Sequence, residues 1–277
     1  MKKITLLSFF MLLAAASCFA GNGDINSCYD SKITVPTSAQ SKEIFILVDQ
    51  TTLLDDQLKQ SVANQIRPFI VTGNNFSVLV FSAFTQGKYT QLLTSGQLDQ
   101  TLSIDKRNDI SKPVLAKFDQ CMAHQPAQAM QAVGKALRAA FDGTSGDIAK
   151  SDIMGSLKDI AGKVKQSSAR EKVVFLVSDM LENSSVSSFY EKNSVRKIDP
   201  NHEMKLAIDN HMIADFGGAR LYVLGAGLLS DDGKSKQKAY RDPKTMQALA
   251  NFWKMYFDQS KAELVEFGEP ALLNQIK

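Results

Sequence analysis

The sequence predicts an α/β fold, a single doubly wound and mainly parallel sheet with helices on both faces, of the Rossmann-like kind. Three observations predict it. Four short apolar runs, Ile44–Val48, Phe76–Phe81, Val173–Val177 and Leu221–Leu224, lack the polar alternation of a half-exposed strand. Helical periodicities lie between them, and alternating strands and helices imply right-handed crossovers and parallel pairing. Polar residues follow the runs repeatedly, at the carboxyl ends of strands where open sheets of this kind bind ligands.

Taken in order, the first run ends on an acid, in "IFILVDQTTLLDD" at 44–56. Leu54, Leu58, Val62, Ile66 and Phe69 then recur at helical spacing, with Thr52-x-x-Asp55 as a capping box at the start. After Phe76–Phe81, "GKYTQLLTSGQLDQ" is expected to add an antiparallel edge strand. From about Ser95 to Lys112 the chain is polar and reads as loop. Residues 114–141 read as a helix interrupted near Pro126, since proline removes a helical hydrogen bond. "AKSDIMGSLKDIAG" reads as a loop leading into a helix capped by Ser151 or Asp152. Val173–Val177 is followed by Ser178 and Asp179. Met246, Leu249, Ala250, Trp253 and Phe257 mark the last helix, and Glu263–Phe267 the last strand. No internal repeat or low-complexity linker appears, so residues 41–277 are expected to form one domain.

Residues 1–20 stand apart. Lys2 and Lys3 precede the apolar core "ITLLSFFMLLAAA", and Cys18-Phe19-Ala20 offers a small-residue cleavage site, the pattern of a secretory signal peptide. Residues 21–40 then form an N-terminal tail. No later run reaches the ~18 apolar residues of a membrane helix, so the mature chain is expected without one, periplasmic or secreted. "AASC" also resembles the lipobox of bacterial lipoproteins, with Ala15 where Leu is usual, and this alternative anchors the chain by a lipid on Cys18. Cleavage after Ala20 leaves Cys28 and Cys121, a natural disulfide pair in an oxidising compartment. Without Lys2 and Lys3, the 32 basic residues of the 277-residue chain fall to within one of its 29 acidic ones. That balance gives no reason to expect a nucleic-acid partner.

The candidate chemistry lies at the strand ends. Asp49, Thr51 and Thr52 follow the first strand, Ser151 heads a helix, and Ser178 and Asp179 follow the third apolar run. Carboxylates and hydroxyls are hard oxygen ligands suited to Mg, Ca or Mn. Each residue also has a structural reading, as a helix cap or a strand-end acceptor. Their placement on one sheet edge favours a shared site.

The order of strand-Asp-x-Thr, Ser-headed helix and strand-Asp resembles a von Willebrand factor A domain, over nearly all of residues 43–268. The resemblance implies a metal-ion-dependent adhesion site with Asp49, Thr51, Ser151 and Asp179 as its residues, and a protein or cell-envelope ligand as partner. Two positions depart from the family's pattern. Leu53 stands where the first motif has its last hydroxyl, and Met180 where Gly usually follows the distal acid. The expected function is therefore an exported binding or adhesion-type module with a degenerate cation site, not an enzyme. One alternative is a metal-free assembly component of an envelope or secretion apparatus. Another is a Mg-dependent phosphohydrolase of haloacid-dehalogenase type with Asp49 as nucleophile, although Thr51 occupies the position of its acid/base.

Other features carry less. His124, His202 and His211 show no metal spacing, "DGTSGD" at 142–147 lacks the order of a phosphate-binding loop, and no G-x-S-x-G elbow occurs. The basic run at 231–244, with Lys234, Lys236, Lys238, Arg241 and Lys244, reads as a solvated loop near the same sheet edge.

Overall fold

The computed structural model describes residues 23–33, 40–85, 88–144, 151–191, 194–229 and 242–277. The expected signal segment with Cys18, residues 145–147 and most of the basic run lie outside them. Among the described residues no helix is long and apolar enough to cross a membrane.

In chain order the elements are β1 (Lys42–Asp49), α1 (Asp56–Ile66), β2 (Asn75–Thr85), β3 (Lys88–Gln97), α2 (Ile104–Asn108), α3 (Lys112–Asp142), α4 (Ile153–Gln166) and β4 (Glu171–Val177). There follow β5 (Tyr190–Glu191), β6 (Ser194–Val195), α5 (Pro200–Asp209), β7 (Ala219–Leu224), α6 (Pro243–Gln259) and β8 (Ala262–Phe267). Six strands form one sheet in the order β3-β2-β1-β4-β7-β8, and only β3 runs antiparallel to its neighbour. This is the expected doubly wound α/β sheet. β1 and β4 are adjacent and central, as their apolar character on both alternations requires, paired from Lys42↔Glu171 to Val48↔Val177. The chain winds outward from β1 to β2 on one side and resumes at β4 on the other. The crevice between β1 and β4 is therefore the topological switch point.

Strand alternation divides the interior into two cores. Ile44, Ile46 and Val48 of β1, with Val173, Phe175 and Val177 of β4, face α1 and α3. Phe45, Leu47, Val174 and Leu176 face α4, α5 and α6 on the other side. Each such side chain, fully buried, contributes about 1.5–3 kcal/mol of transfer free energy.

Local chemistry sets the helix starts. Asp55 caps α1, its side chain accepting from Leu58 N at 2.8 Å. The capping box expected from Thr52 is not formed, because the Thr52 hydroxyl is engaged elsewhere. The stretch expected to be loop from Ser95 contains the end of β3 and the short α2. The helix expected to break near Pro126 is continuous, and α3 runs 31 residues with Pro126 inside it. Tertiary anchors on either side explain this. Cys121 is tied by a disulfide and Phe118 is buried in a small satellite core, while Ala129, Val133, Ala136, Leu137 and Ala140 pack on the sheet.

Residues 23–33 are stitched to the body. Cys28 and Cys121 form the expected disulfide, with Cα atoms 5.6 Å apart. Buried Asp99 accepts from Cys28 N at 2.6 Å and from Gln125 Nε2 at 2.9 Å, and Gln125 Nε2 also donates to the Asn26 carbonyl at 2.9 Å. Asp24 N donates to the Ser95 carbonyl at 2.8 Å, so the segment begins to extend the sheet beyond β3. Ile25 slides over Gly96, where a Cβ would lie 2.5 Å from the Ile25 side chain and 2.6 Å from Phe76.

Candidate functional site at the sheet switch point

The apolar run of β1 delivers Asp49 to the carboxyl edge, completely buried. The chain then turns tightly, and Thr51 folds back on the acid. Asp49 Oδ1 accepts from Thr51 N at 2.9 Å and from Thr51 Oγ1 at 2.7 Å. Oδ2 accepts from Ser178 Oγ at 2.8 Å and from Ser151 Oγ at 3.0 Å. Four donors on two oxygens use the whole acceptor capacity of an ionised carboxylate. Burial nonetheless pushes the Asp49 pKa up, against the opposing pull of these hydrogen bonds.

Ser151 is available for this role because it does not cap its helix. Asp152 is the N-cap of α4, accepting from Gly155 N at 2.8 Å. The Ser151 carbonyl accepts from Asn183 N at 2.8 Å, which fixes the residue between the loop before α4 and the segment after β4.

Asp179, 3 % exposed, sits at the end of β4. Its Oδ1 accepts from Leu181 N at 2.8 Å and its Oδ2 from the Tyr190 hydroxyl at 2.8 Å. Its own amide donates to Thr52 Oγ1 at 2.9 Å, which ties the two strand ends together. Burial first, and the neighbouring Asp49 charge second, push its carboxyl up to about 8. Asp49, Thr51, Ser151 and Asp179 thus gather at one edge, with Thr52 and Ser178 bridging them. Leu53, at the position of the absent hydroxyl, is 43 % exposed.

Met180 has φ 61°, the left-handed conformation that costs a side-chain-bearing residue about 1–2 kcal/mol. The backbone shape that a Gly would supply is kept by a methionine. Packing holds it there, since Met180 is completely buried and its carbonyl accepts from Trp253 Nε1 at 2.8 Å. Its amide donates to Ser178 Oγ at 3.0 Å.

Tyr190 enters from an insert between β4 and β7 that holds the β5–β6 hairpin and α5. Nothing in the sequence singled it out, because the insert carries no motif. Its neighbour Phe189 is completely buried, with its ring 5.2 Å from that of Phe252. Arg196 lies over the Phe189 ring at 5.5 Å and pairs with buried Glu203 at 2.7 Å. Burial and the Asp179 carboxyl hold the Tyr190 hydroxyl well above the usual tyrosine pKa.

Glu182 is a further buried acid that sequence reasoning missed. Its Oε2 accepts from Met154 N at 2.9 Å, in the first turn of α4, where the helix dipole favours negative charge. Burial pushes the carboxyl up to about 8, against the opposing pull of Ser184 and of the Met154 and Ile153 amides.

The donor set suits a hard cation in one specific sense. Thr51 Oγ1 and Ser151 Oγ each send their single proton to Asp49, which leaves oxygen lone pairs to ligate an ion. Among the described residues the hydrogen-bond partners of Asp49 and Asp179 are neutral hydroxyls and amides, so two buried acids share the edge without a basic side chain from that part of the chain bonded to them. Carboxylates alone do not make the site: among the described residues no three His, Cys, Asp or Glu cluster as metal ligands.

No protein-family model matches the chain, and no curated protein is similar to it in sequence. Several solved structures are similar at low identity. One is an aerotolerance-related membrane protein from Bacteroides fragilis NCTC 9343, crystallised with multiple mutations to serine. It is 11 % identical over 85 % of this chain and 93 % of its own, with a TM-score of 0.36. The von Willebrand factor domain of the type V pili tip protein Mfa5 from Porphyromonas gingivalis is 11 % identical. That match covers 75 % of this chain and 58 % of that one, with a TM-score of 0.33. The pilus adhesin SpaC from Lactobacillus rhamnosus GG is 12 % identical over 82 % of this chain and 31 % of its own, with a TM-score of 0.36.

Proposed function

We propose that this chain is an exported binding module of the adhesion type, which engages a protein or cell-envelope ligand at the carboxyl edge of its sheet. Its Asp49, Thr51, Ser151 and Asp179 form a divalent-cation site for Mg, Ca or Mn. Thr51 and Ser151 supply neutral oxygens, Asp179 supplies charge directly or through water, and Asp49, its acceptor sites filled, supplies charge through the Thr51 and Ser151 hydroxyls bonded to it. Leu53 leaves one coordination position to solvent or to an acid of the partner.

The observation that carries the reading is the pair of buried acids, Asp49 and Asp179, which among the described residues are bonded to neutral groups at the switch point. Burying uncompensated charge is costly, and a cation offsets that cost. Export is supported by the disulfide between Cys28 and Cys121, a feature of oxidising compartments. The phosphohydrolase alternative fares worse. Its nucleophile would be Asp49, whose oxygens are fully engaged as acceptors, and its acid/base position holds Thr51, which donates to Asp49 instead of shuttling a proton.

The saturation of Asp49 also favours a second reading, a metal-free assembly component in which the same residues simply clasp β1, β4 and the loop before α4 together. Thermal melts in rising Mg²⁺, Ca²⁺ or Mn²⁺ separate the two. A native-state cation raises the melting temperature with concentration, and Ser151→Ala weakens that response. No shift at millimolar cation in the wild type leaves the metal-free reading. Pull-downs from envelope extract, with Mg²⁺ and with EDTA, then show whether partner capture needs the ion.

A further inference from the structure

We infer that the cavity between α4 and the amino-terminal half of β1, where β2 and β3 adjoin it, binds a small zwitterion with an apolar side chain, an amino acid of the leucine class. The inference does not rest on the cation reading, since the cavity is lined by Glu43, at the opposite end of β1 from Asp49.

The course of α4 opens the cavity. Asp159, at the middle of the helix, accepts from the Thr90 hydroxyl of β3, and Ser167, just past its end, donates from Oγ to Glu43 of β1 at 2.6 Å. The helix therefore crosses the sheet obliquely, and the corner where Ser77 of β2 pairs with Ser95 of β3 lies beside it, not under it. The space left is about 280 Å³. That is near the lower end of the ~300–1,000 Å³ of small-molecule sites and suits a ligand of few atoms. Buried Phe45 and Leu79 form its apolar side, and Leu92, 47 % exposed, continues that surface to the rim.

Two opposite charges, Glu43 and Lys163, line this one small space without meeting. Among the described residues neither side chain forms an ion pair. Half-buried Glu43 accepts one hydroxyl on each oxygen, Ser167 at 2.6 Å and Ser77 at 3.4 Å, so each oxygen keeps a further acceptor site. Lys172, the neighbour of Glu43 across β4, has turned its ammonium to the Lys165 carbonyl at 3.3 Å. Lys163 stands four residues before Ser167, one turn along the cavity wall from the carboxylate, and is exposed. A cation alone would pair with Glu43 but leave Lys163 unmatched beside it, and an anion alone would do the reverse. A zwitterion answers both: its ammonium meets Glu43 and its carboxylate meets Lys163. Its apolar side chain then covers Phe45, Leu79 and Leu92.

Methyl NMR of the leucine-labelled mature chain reads the cavity directly through Leu79 and Leu92. Unlabelled L-leucine is titrated beside isoamylamine, which lacks the carboxylate, and 4-methylpentanoate, which lacks the ammonium. We expect saturable shifts of both residues with leucine in the millimolar range. Each half-ligand should bind about tenfold more weakly, the loss of one hydrogen bond to a charged group. Lys163→Met, a change at the exposed rim, should bring leucine down to the affinity of isoamylamine. Glu43→Gln should bring it down to that of 4-methylpentanoate, and if this variant fails to fold, Lys163→Met decides alone. The proposal is overturned if either half-ligand matches leucine in the wild type, or if Lys163→Met leaves leucine binding unchanged. It is equally overturned if leucine gives no saturable shift, the result expected where Lys163 closes on Glu43 instead.

Discussion

Glu182 shows how one buried side chain sets a property of the whole chain. Its carboxyl ordinarily titrates near 4.5 and is held up to about 8, chiefly by burial. The folded chain therefore keeps a proton that the unfolded chain releases. The associated stability is fully present below about pH 4.5 and is lost as pH climbs to about 8. Asp179, raised from 3.8 to about 8, acts with the same sign. Melting temperature should fall between pH 5 and pH 8, and Glu182→Gln should flatten the fall, as thermal denaturation across that range will show. An equal slope in the variant would remove Glu182 as a cause. Asp49 and Thr51 were legible in the sequence because a strand that ends on an acid and a hydroxyl is a local pattern. Glu182 and Tyr190 were not, since their roles arise from segments that meet only in three dimensions. Ser151 was half legible: the loop before α4 was apparent, but which of two adjacent polar residues caps the helix depends on the Asn183 contact.

Among the elements, the strands were the most legible and α3 the least. A run apolar on both alternations has one stable environment, the middle of a covered sheet, and β1 and β4 occupy it. Proline carries a strong local rule against helix interiors, yet here the rule yields to packing on both sides of Pro126. That conflict has a measurable cost. Proline in a helix interior is disfavoured against alanine by about 3 kcal/mol. Pro126→Ala should therefore stabilise the chain, by as much as that figure if α3 straightens freely and by less where local distortion already relieves the clash. Urea denaturation with an unchanged slope would measure it. A loss of stability would mean that the Pro126 ring packs in a way the helix has come to need. The β5–β6 hairpin and α5 escaped sequence reasoning because their burial is carried by scattered residues, such as Phe189, Met204 and Ala207, with no long periodic run.

At the scale of the molecule, the bond between Cys28 and Cys121 spans 93 residues. A closed loop of that size constrains the unfolded chain strongly, and replacing both cysteines with serine should cost about 2–4 kcal/mol in chemical denaturation. The same bond has a mechanical meaning. The ring it closes contains β1, β2 and β3, half of the sheet, including the strand that carries Asp49. A pull applied through the residues before Gly23 first strips the hydrogen bonds of Asp24 and Ser27 to Thr94, Ser95 and Asp99, and then passes from Cys28 across the bond into α3, so the backbone inside the ring is bypassed. At up to about 3.6 Å per residue, the shielded chain amounts to roughly 300 Å of withheld extension. Single-molecule stretching with and without reductant should reveal that difference in contour length. Under load the far half of the sheet would unravel first, while the end of β1 with its acid and hydroxyl stayed inside a covalent shield.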